Sequence, residues 1–420
     1  MRMSEQEKKG LVPALRFPEF RNGGEWEVKQ LKHACDMQAG KFVQASEIQE
    51  RSNDNLYPCY GGNGLRGYTK TYTHEGTYSL IGRQGALCGN VNLVSGRFHA
   101  TEHAVVTTPK AGADTNWLFY KLVLLNLNQF ATGQAQPGLS VENLEKVGIN
   151  LPRDIDEQQK IANCLTSIDE LITAQTQKLD ALKTHKKGLM QQLFPAEGET
   201  VPKLRFPEFR GKGEWELKEL GQLATYTKGF AFKSQDYRSE GIRIIRVSDL
   251  GAEFIKPDSE KVFIASELAG DYERYKLNKG EIIITTVGSK PELVDSAVGR
   301  GVFVHHSNEG FLNQNLLKLE VVAEVNSRFL FSNINTTEYQ EFIASISRGN
   351  ANQANIAVKE LMKFELKVPG PNEQQRIANC LISVDELITA QTQKLEALKV
   401  HKKGLMQQLF PAVDDDGIDT

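Results

Sequence analysis

The sequence predicts an α+β chain in which two unlike domains of mixed strand and helix alternate with two long helices. The helices are expected to pair as an antiparallel coiled coil, which makes the molecule pseudo-twofold. Three observations carry this reading. Residues 157–195 recur at 373–411 with 34 of 39 positions identical by direct count, an offset of 216. VPALRFPEFR, starting at Val12, returns as VPKLRFPEFR at Val201, an offset of 189. Between these copies lie two stretches, 26–150 and 215–367, that do not resemble one another; the second is longer by 216 − 189 = 27 residues. Two copies at a period near 200 are too few and too far apart for a solenoid.

Taken in order, the chain divides into a lead segment 1–25, a first domain 26–152, a central helix 153–195, a linker with the repeated lead segment 196–214, a second domain 215–369, a C-terminal helix 370–411 and an acidic tail 412–420. In the first domain, TYSLI (77–81) and AVVTT (104–108) alternate as strands do. GGNG (61–64) and GRQG (82–85) are turn signals, FHATEHAVV reads as strand, and a helix is expected from Trp117 to Asn126. The second domain repeats the logic with IRIIRV (242–247), EIIITTV (281–287), GVFVHH (301–306) and LLKLEVV (316–322), followed by a helical NSRFLFSNI. Both domains close on a loop rich in Gly, Asn and Gln, a short helix, and a strand ending in proline. Strands followed by segregated helices are the α+β pattern.

The copied helix carries a heptad seam. Ile161, Leu165, Ile168, Ile172, Leu179, Leu182, Leu189 and Leu193 fall at 4,3 spacing once Gln175 and Lys186 fill the remaining beats. The second copy keeps the seam in Ile377, Leu381, Val384, Ile388, Leu395, Leu398, Leu405 and Leu409, with Gln391 and Lys402 as its polar beats. Each run stops at a Phe-Pro pair, because proline cannot continue a helix. At 1.5 Å per residue the rod is roughly 55 Å long. Each seam is the natural partner of the other, and the polar beats would then set the register.

Charge and chemistry exclude several classes. Lys+Arg 50 against Asp+Glu 53 leaves a net of −3, so the chain lacks the basic coat of a non-specific nucleic-acid binder. Five cysteines (Cys35, Cys59, Cys88, Cys164, Cys380) without CxxC spacing argue against a disulfide framework or a zinc ribbon. With a polar start and no apolar run near 18 residues, a cytoplasmic protein without a membrane segment is expected. There is no GxxxxGK[ST] loop, no HExxH and no Asn/Asp-Pro-Pro-aromatic run, so no catalytic residue and no metal site are assigned.

This organisation closely resembles the specificity (S) subunit of type I restriction-modification systems. The resemblance rests on LRFPEFR…EW (15–26 and 204–215), the QPGLS loop (136–140), the proline and EQQ/IA helix start, and HKKGLMQQLFP (185–195 and 401–411), and it covers essentially the whole chain. It implies that each variable stretch is a target recognition domain reading one half of a split, asymmetric site in double-stranded DNA, with the helices fixing the spacer. It further implies a non-catalytic subunit that recruits two methyltransferase subunits using S-adenosylmethionine and two restriction/motor subunits using ATP and Mg. No cofactor of its own and no homo-oligomer in the complex are expected. NQANI (352–356) stands in the second domain where the family pattern has a proline. The alternatives are a recognition subunit of a methylation-only or other defence complex, or a coiled-coil scaffold with no role in DNA binding.

Amides pair with adenine and guanidinium with guanine, and glycines let backbone approach closely. On that basis the DNA-contacting candidates in the first domain are Asn63, Arg66, Arg83, Gln84, Gln134 and Gln136. In the second they are Lys228, Lys233, Arg246, Ser289, Lys290, Arg348, Asn350, Asn352 and Gln353. Phe17, Phe20, Trp26, Phe206, Phe209 and Trp215 of the lead segments are the candidate anchors for a methyltransferase.

Overall fold

The computed structural model describes residues 11–85, 87–133, 137–251, 253–257, 259–289, 298–334, 336–350 and 353–411. It contains two compact units, residues 1–178 with 391–420, and residues 179–390. Each unit therefore combines one variable domain with part of each long helix.

In the first unit, a six-stranded sheet runs in the order Cys35–Ala39, Ala104–Pro109, His74–Gly82, Val91–Ala100, Tyr57–Gly61, Gly64–Thr69. The segment FHATEHAVV is not one strand. Val91–Ala100 and Ala104–Pro109 are separate, and Ala104 N closes the turn between them by donating to Thr101 O at 2.9 Å. The turn is held from outside: Lys41 N donates to Ala100 O and Gly40 N to Ala104 O, at 2.8 and 2.9 Å. Helix Thr115–Leu124 starts at Asp114, whose carboxylate accepts from Trp117 N at 2.8 Å, an N-cap that satisfies an otherwise orphan amide. Its buried Trp117, Leu118 and Leu122 share one core with Ile161, Ala162 and Leu165 of the central helix and with Met406, Leu409 and Phe410 of the C-terminal helix.

The second unit contains a four-stranded sheet ordered Ala224–Lys228, Leu316–Val321, Ile282–Thr285, Gly301–Phe303. Ile282–Thr285 is buried at every position, which accounts for its continuous apolar run. A three-stranded sheet ordered Val262–Ile264, Ile242–Ile245, Phe311–Leu312 stands beside it, and helix Ser327–Asn333 is capped by Asn326. The second Gly/Asn/Gln segment, expected as a loop, is partly strand. Arg348–Asn350 and Gln353–Asn355 form a hairpin that pairs with Val287–Gly288.

Both copied segments are helices of 39 residues, Ile155–Leu193 and Pro371–Leu409, and both run through their single glycines, Gly188 and Gly404. All sixteen apolar seam positions are buried or half-buried. The two glutamine beats meet each other, and each lysine beat meets an aspartate. In the first unit, Gln391 Nε2 donates to Gln175 O at 3.2 Å and to the Gln175 side chain, and Lys402 Nζ sits 2.6 Å from Asp169 Oδ1. In the second unit, Lys186 Nζ lies 2.7 Å from Asp385 Oδ1. Asp385 and Lys186 are the repeat counterparts of Asp169 and Lys402, so each unit builds the same pair, and the helix segments within each unit run antiparallel. Burial works against the charge on Lys186, but Glu253 and Asp385 outweigh it, and its pKa is raised.

Candidate nucleic-acid interface

The first domain brings three of its polar candidates, Asn63, Arg66 and Gln84, around one concavity. The Gly61–Gly64 turn joins strands Tyr57–Gly61 and Gly64–Thr69, and it lies against the end of strand His74–Gly82. A Cβ on Gly82 would stand 2.3 Å from Gly62 O, and one on Gly62 would stand 2.9 Å from His103 O. Only glycines allow this backbone contact. Together the loops border an open concavity of about 360 Å³ lined by Asn63, Leu65, Arg66, Gln84 and His103 over a glycine floor. Asn63, Arg66 and Gln84 are exposed. His103 Nε2 is 3.2 Å from Glu102 Oε1.

Arg83 departs from the expectation. Its half-buried guanidinium points inward, with Nη1 donating to Glu102 O at 3.3 Å and Nε to Leu139 O at 3.4 Å. It ties the 101–103 turn to the loop before helix Val141–Glu145 and leaves Gln84 as the outward residue of the pair. Gln134 and Gln136 lie outside the described residues. The ends of their loop are paired, Thr132 N to Gly138 O at 2.9 Å, and Gly138 bridges to Gln84.

In the second domain the small hairpin sheet brings together Ser289, Arg348, Asn350 and Gln353, of which Arg348, Asn350 and Gln353 are exposed. Asn350 Oδ1 accepts from Gln353 N at 2.9 Å. Gly349 has φ +114, and a Cβ there would stand 2.2 Å from Gln353 O, so the hairpin requires glycine. Lys290 and Asn352 lie outside the described residues. Lys228 and Lys233 are exposed elsewhere, at the end of strand Ala224–Lys228 and just before the turn Ser234–Asp236. Arg246, like Arg83, is used internally: Nε lies 3.1 Å from Oδ2 of fully buried Asp249, and Nη2 donates to Glu260 O.

The lead segments also differ from expectation. Trp26 and Trp215 are only 2% and 3% exposed, so neither offers a surface for a partner. Each completes an aromatic triad inside its unit. Trp26 packs on Trp117 and Phe410 at 6.2 and 6.0 Å, and Trp215 on Phe329 and Phe194 at 5.9 and 6.2 Å. The copied Trp and the copied Leu-Phe-Pro are thus two halves of one contact. Phe17 and Phe206 are half-buried beneath Lys160 and Arg376, whose charges lie 5.6 and 4.9 Å from the ring centres. Phe20 and Phe209 are half-buried.

Sequence reasoning missed the residues that explain the repeated motifs. Arg16 forms a bidentate pair with Glu157 at 2.8 and 2.7 Å, and Arg205 pairs with Glu373 at 2.8 and 2.8 Å, all with side chains 10% exposed or less. Next to them, Gln158 accepts from Asp114 N at 2.8 Å and Gln374 from Asn326 N at 2.9 Å, so the same motif docks the N-cap of each domain helix. The available signal was that Arg and Glu-Gln are retained in both copies. A second missed feature is that exposed apolar residues occur in repeat-equivalent pairs: Val12 and Val201, Leu15 and Leu204, Val28 and Leu217, Leu171 and Leu387.

Among the described residues there is no cluster of three or more His, Cys, Asp or Glu able to hold a metal, and no helix long and apolar enough to cross a membrane. The site offers guanidinium, amide and imidazole groups on glycine-rich loops, which suits recognition by hydrogen bonding.

Comparison with known proteins agrees with this chemistry. The model of the type I restriction modification DNA specificity domain matches residues 23–184 and 212–400. The type I restriction enzyme EcoprrI specificity subunit of Escherichia coli is 45% identical over 150 residues, 36% of this chain and 37% of that protein. The MjaVIII specificity subunit of Methanocaldococcus jannaschii is 24% identical over 304 residues, 71% of this chain and 69% of that protein. In fold, the S subunit of a type I restriction-modification system from M. genitalium superposes with a TM-score of 0.67 at 17% identity, covering 96% of this chain and all of that one.

Proposed function

Because this chain belongs to the family of type I restriction-modification DNA specificity proteins, we propose that its two variable domains read two different halves of one split, asymmetric DNA site. The observation that carries this is the contrast between unlike domains and their near-identical mounts. Both domain helices dock on an EQQ motif, both lead segments are clamped by an Arg–Glu pair, and both units close on an aromatic triad. Equivalent mounts for different readers serve a ligand that is long and contacted at a fixed spacing, as duplex DNA is. Each 39-residue helix is about 58 Å long and acts as the ruler for the unread spacer.

The chain reads and positions; it supplies no catalytic group. Two methyltransferase subunits dock on the two copies of the exposed apolar set, Val12, Leu15, Val28 and Leu171 with Val201, Leu204, Leu217 and Leu387. Exposed apolar residues that recur at equivalent positions of both copies suit one partner bound twice. S-adenosylmethionine belongs to those methyltransferases, and ATP and Mg to two restriction/motor subunits; the complex works in the cytoplasm. The test is to express the chain with its methyltransferase in cells free of other adenine methylation and to sequence the methylome. A bipartite asymmetric motif with an unread spacer is expected. A single unbroken or palindromic motif contradicts the reading.

A further inference from the structure

We infer that the concavity between the Gly61–Gly64 turn and Gln84 is the base-reading surface of the first domain, with Arg66 recognising a guanine and Gln84 an adenine of the same half-site. This rests on the DNA-reading function above and adds which residues set which bases.

The argument starts from donor and acceptor chemistry. A phosphate presents only acceptors, so a phosphate site is built from cations and N–H groups. The wall of this cavity has one permanent cation, Arg66, two side-chain amides, Asn63 and Gln84, and the ring of His103. An amide brings an acceptor as well as donors. That acceptor is unused on a phosphate but is required by the N6/N7 edge of adenine. Leu65, 52% exposed on the same wall, is also out of place at a phosphate and suits the methyl group of thymine in the same A·T pair.

Position supports the assignment. The glycine contacts at Gly62 and Gly82 leave no room for a Cβ, so the two loops are fixed on one another and the polar groups are held in register. Arg83 reinforces this by clamping the neighbouring turn and loop with its guanidinium, which directs the adjacent Gln84 outward. Arg66 is exposed at the cavity wall, and among the described residues no side-chain hydrogen bond or ion pair occupies its guanidinium fork, which is available for a guanine O6/N7 edge. Arg83 is accordingly a positioning residue, and Arg66 and Gln84 determine specificity.

The experiment is methylome sequencing of the complex assembled with Arg66→Ala, Arg66→Lys, Gln84→Ala and, as a control, Arg51→Ala, an exposed arginine of the same domain that does not line the cavity. Arg66→Ala is expected to relax one guanine position of one half-site, with discrimination falling about ten- to hundred-fold, and Arg66→Lys, which keeps donors for guanine but loses the planar fork, to relax it less. Gln84→Ala should relax one adenine position of the same half-site. The other half-site and the spacer should stay as in the parent, which also shows that the variants fold. A uniform fall in methylation with the motif unchanged would make Arg66 a phosphate contact and overturn the inference. So would an altered base in the opposite half-site, or equal relaxation by Arg51→Ala. If a variant gives no methylation, its complex is titrated at fixed salt with duplexes carrying each base at the position in question, and retained guanine preference overturns the assignment. A parent complex with no bipartite motif would instead remove the underlying reading.

Discussion

Lys121 offers a quantitative test of how the first unit is held together. It lies on helix Thr115–Leu124, is fully buried, has no hydrogen-bond acceptor for its amine among the described residues, and approaches the Phe410 ring centre at 5.7 Å. Burial pulls its pKa down from 10.5 to about 8. At 1.36 kcal/mol per tenfold change in proton affinity, that drop is worth about 3 kcal/mol against the folded state at neutral pH. The cation above the Phe410 ring returns about 1 kcal/mol of this. Replacement by Met, which fills similar volume without charge, is therefore expected to stabilise the first unit by about 2 kcal/mol at pH 7, roughly 4–8 °C in its melting transition. The pH dependence gives the sign. Between pH 8 and about 10.5 the unfolded chain holds the proton that the folded chain has released, so parental stability rises through that window, and the full penalty is present below it. Thermal and urea unfolding of parent and Lys121→Met at pH 7 and pH 10.5 should show the gap narrowing to under about 1 kcal/mol. A gap that does not change with pH, or a variant less stable than the parent at pH 7, refutes the argument.

Other expectations follow from the same contacts. Arg16→Met leaves Glu157 buried without its partner and should cost about 3–5 kcal/mol in the first unit. The double change Arg16→Met with Glu157→Met should recover most of that in calorimetry, because a buried ion pair is costly chiefly when halved. Trp26→Ala opens the triad with Trp117 and Phe410 and should cost about 3–5 kcal/mol by urea unfolding, with the motif of any assembled complex unchanged. Gly62→Ala places a Cβ 2.9 Å from His103 O and should blur base preference in the first half-site alone, read by methylome sequencing. With a net charge of −3, the isolated chain should bind DNA weakly and the methyltransferase complex tightly at matched salt; equal affinities would contradict this.

The long helices were legible because both of their signals are local. Heptad spacing and near-identity lie within 39 consecutive residues, and the structure matches the expected helix to within a few residues of each end. The strands at 77–81, 282–285 and 316–321 were legible for the same reason, since alternation or an apolar run is read in a short window. The Arg16–Glu157 clamp joins positions 141 residues apart, and no local pattern announces such a pair. Trp26 was misassigned because an aromatic in a short polar segment looks the same whether it faces solvent or Phe410. Arg83 and Arg246 were assigned outward because a glycine-flanked or strand-end arginine carries no mark of the carbonyls that capture it. Asn63, Arg66 and Gln84 came together because two turns, each readable by itself, are set side by side by a sheet whose strand order is not readable. FHATEHAVV shows the opposite error: continuous strand propensity concealed a turn imposed by Gly40 and Lys41 from elsewhere in the chain.

The most direct test of the central claim lengthens the ruler. Seven residues are inserted at equivalent positions of both helices, beside Gln175 and beside Gln391, so that the heptad phase and the pairing are kept. The rod grows by about 10.5 Å, the rise of roughly three base pairs. Methylome sequencing is expected to return the parental half-sites separated by a spacer about three base pairs longer. A changed base in either half-site, or an unchanged spacer, would contradict the account.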